Sequence, residues 1–574
     1  MCALVRDNGA SGVVRKALLA LTLLCAAACA PAEPRPDILL VITDDQGWGD
    51  WEGSGNSVIQ TPHMMRLAEQ GASFTDFHVA PVCAPTRAML LSGRHSLETG
   101  VWGVTRGGER MATEVETLAE LLRERGYRTA LFGKWHNGAH PPFDPASQGF
   151  DHVFGFLAGH ITDYFDPVLI ENGREVQTRG YITTTFTDAA LDWLEASDRP
   201  SFAVIAYNTP HSPFEVENRY LELYADAGLP PVTQAIYAMT TQTDAQFGRL
   251  LDAVDDDAVV IFVGDNGPAR PGGVERYKDG LAGQKGSVLF GGTQVPMIIR
   301  WPGVTQAGST ITQPGHGTDL VPTVLRGLGA PVPNAVDGVD LAPALGGAAL
   351  AERTLFTHHS NVLLDADTEP VTVDPGAARR GRFSAVLDPD GNWALYADRA
   401  QSVDVKTEHP AVFADLQAQY LAWFAEVSPA AMDDQPVPVT DAPVTLAAHD
   451  AYPGGAADFN LPWGWSQDWI VVSGAGTLRW PVIMEAGRYG VRVQYDGTGT
   501  LVVGEHARPL PAAEAAPRFA APHHRRVVSS GEAITLDWPV ADLGVLELPA
   551  TDGRLVVGVD GTVRIKSLTL VPQP

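Results

Sequence analysis

The segment Asp37-Ile-Leu-Leu-Val-Ile-Thr43 is apolar without alternation and stops at Asp44-Asp45. A strand that is apolar on both faces must be covered on both, which is the situation of a parallel sheet between layers of helix. The same grammar recurs. Thr117-Leu-Ala-Glu-Leu-Leu-Arg-Glu-Arg-Gly126 is an amphipathic helix with Gly126 as its C′ residue, and Tyr127-Arg-Thr-Ala-Leu-Phe132 follows as a strand ending at Gly133-Lys134. A helix over roughly 235–254 leads to the strand Ala258-Val-Val-Ile-Phe-Val263 and then to Gly264-Asp265-Asn266-Gly267. This alternation predicts an α/β fold, a mixed and mostly parallel sheet sandwiched by helices. Ligand groups of such sheets collect beyond the carboxyl ends of the strands. Asp44, Asp45, Lys134, Asp265 and Asn266 all fall at such ends.

At 574 residues the chain exceeds what one core organises, so further domains are expected. After an α/β part over 36–350, a small antiparallel subdomain is expected over 351–427. It has strands at Phe383–Leu387 and Trp393–Tyr396 and a helix over 409–427 with Val412, Leu416, Tyr420 and Trp423 on one face. The Pro-, Asp- and Ala-rich stretch 428–443 reads as a linker to an appended β-sandwich over 445–574. There Tyr489–Tyr495 alternates strictly, and Leu555–Val559 and Val563–Leu568 are strand-like with turn signals between. Trp463, Trp465, Trp469 and Trp480 in this segment offer faces for sugars, but packing in a core or domain interface is the expected role.

The amino terminus reads as an export signal. Arg6, Arg15 and Lys16 precede the apolar run from Ala17, and Ala26-Ala27-Ala28-Cys29 resembles a bacterial lipobox. Residues 1–29 are therefore expected to be a lipoprotein-type signal peptide, with Cys29 as a lipid anchor. The protein would be exported, as a periplasmic or outer-membrane lipoprotein. Of four cysteines, Cys2, Cys25 and Cys29 belong to this segment, which leaves Cys83 alone in the mature domains. The net charge of −28 argues against a nucleic-acid partner and requires any anion site to be a local basic pocket.

The segment Cys83-Ala-Pro-Thr-Arg87-Ala-Met-Leu-Leu-Ser-Gly93-Arg94 resembles the signature of the formylglycine-dependent sulfatases, of the alkaline phosphatase superfamily. Thr61-Pro62-His-Met-Met-Arg-Leu-Ala-Glu-Gln-Gly-Ala-Ser-Phe-Thr75 lies upstream as in that family, and Gly133-Lys134-Trp135-His136, Pro210-His211-Ser-Pro213, Asp265-Asn266-Gly267 and Lys285-Gly286-Ser287 follow in its order. The resemblance covers roughly 36–427. It implies an alkaline-phosphatase-like sheet and hydrolysis of sulfate monoesters on a carbohydrate or aryl group. It also implies a formylglycine made from Cys83 by a formylglycine-generating enzyme. One hydroxyl of the hydrate attacks sulfur; the other is deprotonated and expels sulfate, whereas a serine would be trapped as a stable ester. Asp44, Asp45, Asp265 and Asn266 are hard oxygen ligands that, with the converted Cys83, suit one calcium ion, or magnesium in a tighter site. Arg87 would hold the hydrate or the carboxylates, while Lys134 and Lys285 would clamp sulfate oxygens. His136 and His211 would serve as base for the second hydroxyl and acid for the leaving oxygen, roles that the sequence leaves interchangeable. His160 and Asp163 fall where relatives line the substrate pocket.

One departure stands out. The family's usual Glu and Arg after Lys285-Gly-Ser are Phe290 and Gln294 here. The usual residues are expected to be a structural ion pair, since losing both leaves no lone buried charge. A changed substrate pocket is the alternative. Two other functions are carried as alternatives: a phosphate or phosphonate ester hydrolase on the same fold, and an inactive glycan-binding lipoprotein.

Overall fold

A computed structural model describes residues 35–360, 371–431, 435–460, 469–517, 524–527 and 536–574. The expected export signal with Cys29, and Trp463 and Trp465, lie outside them. The central sheet has ten strands: β1 (Ile38–Thr43), β2 (Ala72–Phe74), β3 (Arg128–Lys134), β4 (His152–Phe156), β5 (Val168–Glu171), β6 (Arg174–Gln177), β7 (Ser201–Ala206), β8 (Val259–Gly264), β9 (Met297–Arg300) and β10 (Ser309–Ile311). Their order is β10-β2-β9-β8-β1-β7-β3-β4-β5-β6. The block β8-β1-β7-β3-β4 is parallel throughout, and antiparallel neighbours flank it on both sides.

Two-sided burial is the physical reason for the unalternating apolar runs. Ile38, Leu40 and Ile42 of β1 enter one core with Val259, Ile261 and Val263 of β8. Leu39 and Val41 enter the other with Val260 and Phe262. The helix before β3 is shorter than its amphipathic pattern, Leu118–Arg123, and begins at a capping box between Thr117 and Glu120. Gly126 takes φ +85°, as a residue closing a helix into a strand must.

The small subdomain is a four-stranded antiparallel sheet, Leu355–His358, Gly376–Arg380, Phe383–Leu387 and Trp393–Tyr396 in that order. The helix Pro410–Ala431 covers it and buries Leu416 and Tyr420 fully. The last segment is an eight-stranded sheet in which the long strands Ile470–Met484, Gly487–Val503 and Thr551–Pro572 carry the pairing around a single apolar core. Thr551–Pro572 pairs along one edge first with Ile470–Met484 and then with Val444–Ala447, which folds one continuous sheet into a sandwich.

Two expectations are corrected here. The stretch 428–443 is not a free linker: the helix runs on to Ala431, and Val437–Val439 pairs in parallel with Val482–Met484. Asp560-Gly561 is not a turn between two strands. The chain continues as one strand through Gly561 at φ +140°, where a Cβ would meet the Thr498 carbonyl oxygen at 2.5 Å. Glycine there serves a close approach between strands, which composition cannot distinguish from a turn.

Candidate active site

The five parallel strands end level with one another. Thr43 pairs with Gly264, Ile42 with Ala206, Ala206 with Gly133, and Lys134 with Phe156. Asp44-Asp45, Asp265-Asn266, His136, His211 and His160 therefore issue from neighbouring strand ends on one edge of the sheet. Cys83 arrives from outside it, as the first residue of the helix Cys83–Ser92, and is 3% exposed. That position carries the positive end of the helix dipole, which favours negative charge. Its thiol occupies the place that a formylglycine oxygen would take.

Carboxylates dominate the floor. Asp44, Cys83 and Asp265 offer ligand atoms within 4.8 Å of one another, and Asp44, Asp45 and His211 do likewise. Lys134 Nζ donates to Asp44 Oδ2 at 2.6 Å, and Lys285 Nζ lies 2.6 Å from Asp45 Oδ1. Arg87 donates to Asp265 Oδ2 from two nitrogens at 2.8 and 3.2 Å and to the Lys134 carbonyl oxygen at 2.9 Å. Asn266 Nδ2 donates to Asp45 Oδ1 at 2.8 Å, while Asp45 stands at φ +63° so that its N–H donates to Asp265 Oδ1. Burial acts to raise the Asp44 carboxyl, but Lys134, His211, Arg87 and Lys285 together hold it well below the usual carboxylate range. Burial and then Asp44 drive Asp265 the other way, well above that range despite Arg87.

A cation fits this set. Asp44 Oδ1 and Asn266 Oδ1 are buried acceptors with no hydrogen-bond partner, and with Asp45 and Asp265 they make a set of hard oxygen ligands.

Hydrogen bonds to carbonyl oxygens assign the two histidines. His136, at φ +67°, has Nε2 at 2.8 Å from the Val104 carbonyl oxygen, so Nε2 carries the proton and the buried Nδ1 keeps a lone pair. Burial and Lys134 lower its pKa to about 3. Gly159 makes room for the ring, since a Cβ there would meet His136 Nε2 at 2.1 Å. His211 Nδ1 donates to the Ser212 carbonyl oxygen at 2.7 Å, which leaves Nε2 facing Asp45 Oδ2 at 3.9 Å. Burial and Lys285 lower the His211 pKa as well. The His160 ring lies 5.3 Å from that of His211, centroid to centroid. Asp163 sits with His160 on the wall of the adjoining cavity.

Positioning residues without a local sequence signal complete the site. Tyr164 Oη donates toward the carbonyl oxygens of Asn208, His211 and Ser212 at 2.9–3.1 Å and so fixes the His211 turn. Arg276, from a loop with no periodicity, donates to the Asp45 carbonyl oxygen at 2.6 Å and pairs with buried Asp50. Asn137 ties the His136 loop to the Ala84 carbonyl oxygen beside Cys83. Asn137 adjoins Gly-Lys-Trp-His and Tyr164 follows Asp163, so of the three only Arg276 stands apart from the segments the sequence singles out. At the departures, Gln294 Nε2 donates to the Thr75 carbonyl oxygen, and Phe290 packs beneath the Arg379 guanidinium and beside His78. Gln294 thus holds a backbone carbonyl, and Phe290 lines a second cavity with Asp76, Asp279 and Arg379.

A level row of parallel strands thus ends in carboxylates, with buried cations and two oriented imidazoles beside them, on an alkaline-phosphatase-like fold. The family model described as Sulfatase matches residues 36–330. Human arylsulfatase A is 32% identical over 395 residues, covering 61% of this chain and 74% of that protein. The dog N-acetylgalactosamine-6-sulfatase is 31% identical over 381 residues, covering 58% and 70%. Among solved structures, Ps i-CgsB in complex with k-i-k-neocarrahexaose aligns with a TM-score of 0.63 and 26% identity, covering 68% of this chain and 92% of that one. The phosphonate monoester hydrolase of Agrobacterium radiobacter, at 20% identity and a TM-score of 0.53, shares the fold. This chain belongs to the sulfatase family, whose members are sulfuric ester hydrolases.

Proposed function

We propose that the sulfate ester cleaved here is carried by a carbohydrate. Cys83 is the site of formylglycine, and one calcium ion is held by Asp44, Asp45, Asp265 and Asn266. The observation that carries this reading is the convergence of Cys83 with Asp44 and Asp265 to within ligand distance, ringed by Arg87, Lys134 and Lys285. The saccharide part is supported by the relatives, one named for N-acetylgalactosamine-6-sulfate and one solved with a carrageenan-type hexasaccharide.

When present, a formylglycine hydrate at Cys83 supplies the attacking hydroxyl, and the metal ion supplies positive charge for that oxygen and for the sulfate. Lys134 and Lys285 place two ammonium groups beside the reacting position, where they offset charge on the sulfate oxygens. Arg87 locks Asp265 to the end of β3 with three hydrogen bonds. The lone pair on His136 Nδ1 suits it as the base for a hydroxyl at position 83. His211, anchored through Nδ1, presents Nε2 as the donor to the leaving oxygen once protonated. Export, the lipid anchor at Cys29 and maturation by a formylglycine-generating enzyme belong to the same proposal.

The test uses full-length protein from a host that makes formylglycine. The peptide carrying position 83 is expected about 18 Da lighter than its cysteine form, with one calcium per chain, and Cys83→Ser is expected to lose turnover by several decades. Full multiple-turnover activity in Cys83→Ala would overturn the mechanism.

A further inference from the structure

His160 opens away from the carboxylates into a cavity of about 530 Å³ whose opposite wall is built by the C-terminal sandwich. Asp163 flanks His160 on the near side, and Trp469, Trp538, Gln494 and Lys566 line the far one. The two indole rings lie 5.4 Å apart at 59°, and the Arg564 guanidinium sits 5.8 Å from each. Arg564 is itself held by Asp496 at 2.6 Å, so the aromatic pair is braced from within its own sheet. Trp480, by contrast, is 1% exposed in the sandwich core and donates to the Ala447 carbonyl oxygen. The tryptophans of this segment thus divide between packing and a cavity wall.

We propose that this cavity is the subsite for the alcohol portion of the substrate, a saccharide unit packed on Trp469 and Trp538. The inference rests on the sulfatase reading above and deepens it. Three observations converge. The cavity adjoins the reacting end of the site: His160 lines it, and the His160 ring lies 5.3 Å from that of His211. Its volume lies within the ~300–1,000 Å³ of pockets that enclose small ligands, far more than a sulfate group needs. Its chemistry is that of a sugar: braced, partly exposed indole surface suits the C–H face of a pyranose, and Asp163 and Gln494 suit ring hydroxyls. Lys566 adds an ammonium group beside the carboxyl groups of Asp163, Glu175 and Asp450 on the same lining, a mixed polar wall that suits sugar hydroxyls. Residues far apart in sequence, in a domain that contributes none of the catalytic groups, therefore decide which sulfate ester is cleaved.

The test is kinetic, on full-length matured enzyme and on Trp469→Ala, Trp538→Ala and Lys566→Gln, with thermal unfolding to confirm that each variant is folded. The substrates are p-nitrophenyl sulfate, k-i-k-neocarrahexaose and a chondroitin 6-sulfate tetrasaccharide. The expected result is turnover of at least one oligosaccharide, with KM raised at least tenfold by either tryptophan variant and kcat changed far less. The loss in kcat/KM should be at least tenfold greater for the oligosaccharide than for the aryl sulfate. Lys566→Gln should act on the oligosaccharide in the same direction. Equal losses on both classes, no loss on either, or turnover of the aryl sulfate alone would overturn the subsite. Absence of sulfate release from every substrate by the unmutated enzyme would instead refute the sulfatase reading beneath it.

Discussion

Replacing Arg87 with methionine tests whether the carboxylate floor is an electrostatic structure. The side chain is 2% exposed, and its partner Asp265 is 0% exposed. Arg87→Met keeps the length and removes two bonds to Asp265 Oδ2 and one to the Lys134 carbonyl oxygen. Breaking one side of a buried pair costs about 3–5 kcal/mol, because it leaves a charge that neither solvent nor protein offsets. Asp265 is already pushed toward its neutral form by burial and by Asp44, so protonation caps the loss, and the lower end of that range applies. In a domain as large as residues 36–427 this corresponds to a fall of about 4 °C in the unfolding midpoint. The assay is denaturant unfolding in chelator, where no divalent ion can substitute for the guanidinium, on Arg87→Met, Asp265→Asn and the double variant. The double variant removes both partners and should be less destabilised than the sum of the singles by about 1–3 kcal/mol. Additive losses, or an Arg87→Met protein within about 1 kcal/mol of the original, would show that the pair is incidental.

Two further outcomes follow from groups outside the floor. His358 is buried between Tyr420 Oη and Ser360 Oγ, and burial lowers its pKa to about 3, against about 6.5 unfolded. Its contribution is fully present above pH 6.5 and is lost as the pH falls toward 3. The original protein should therefore lose stability relative to His358→Gln across that window, by up to about 1.4 kcal/mol per pH unit, in urea midpoints taken from pH 7.5 to 4.5; a gap that is constant or moves the other way would contradict it. The loop carrying Val104 is held by the C-terminal segment, through Gln435 Nε2 to the Arg110 carbonyl oxygen at 3.1 Å and Tyr452 Oη to the Arg106 carbonyl oxygen at 3.2 Å. Removing both bonds in Gln435→Ala/Tyr452→Phe should cost about 1–3 kcal/mol of stability and lower kcat on an aryl sulfate by more than it changes KM, since the loop orients His136; an unchanged kcat would show that the loop holds itself.

The sequence alone determined the central sheet and most of the chemistry. Unalternating runs such as Asp37–Thr43 admit one environment, a strand covered on both faces, and the residues that follow such runs must then lie together at one edge. Asp44, Asp45, Lys134, Asp265 and Asn266 were placed together for that reason, whereas Cys83, His136, His211 and Lys285 were picked out by motif. Tertiary structure decided whatever depends on residues distant in the chain. Arg276 reaches the site from a segment whose local pattern says nothing, and the sequence gives no sign of what Tyr164 does beside Asp163, because a hydrogen bond to a carbonyl oxygen leaves no periodicity. Which histidine holds which tautomer was set by Val104 and Ser212, carbonyl oxygens that any residue could provide. The stretch 428–443 looked like a linker by composition, yet Gln435 and Val437–Val439 are pinned by partners elsewhere in the chain. The same holds for the tryptophans: Trp480 and Trp469 are alike in sequence, and only the packing of one sandwich against one strand edge puts the first in a core and the second on the wall of a cavity.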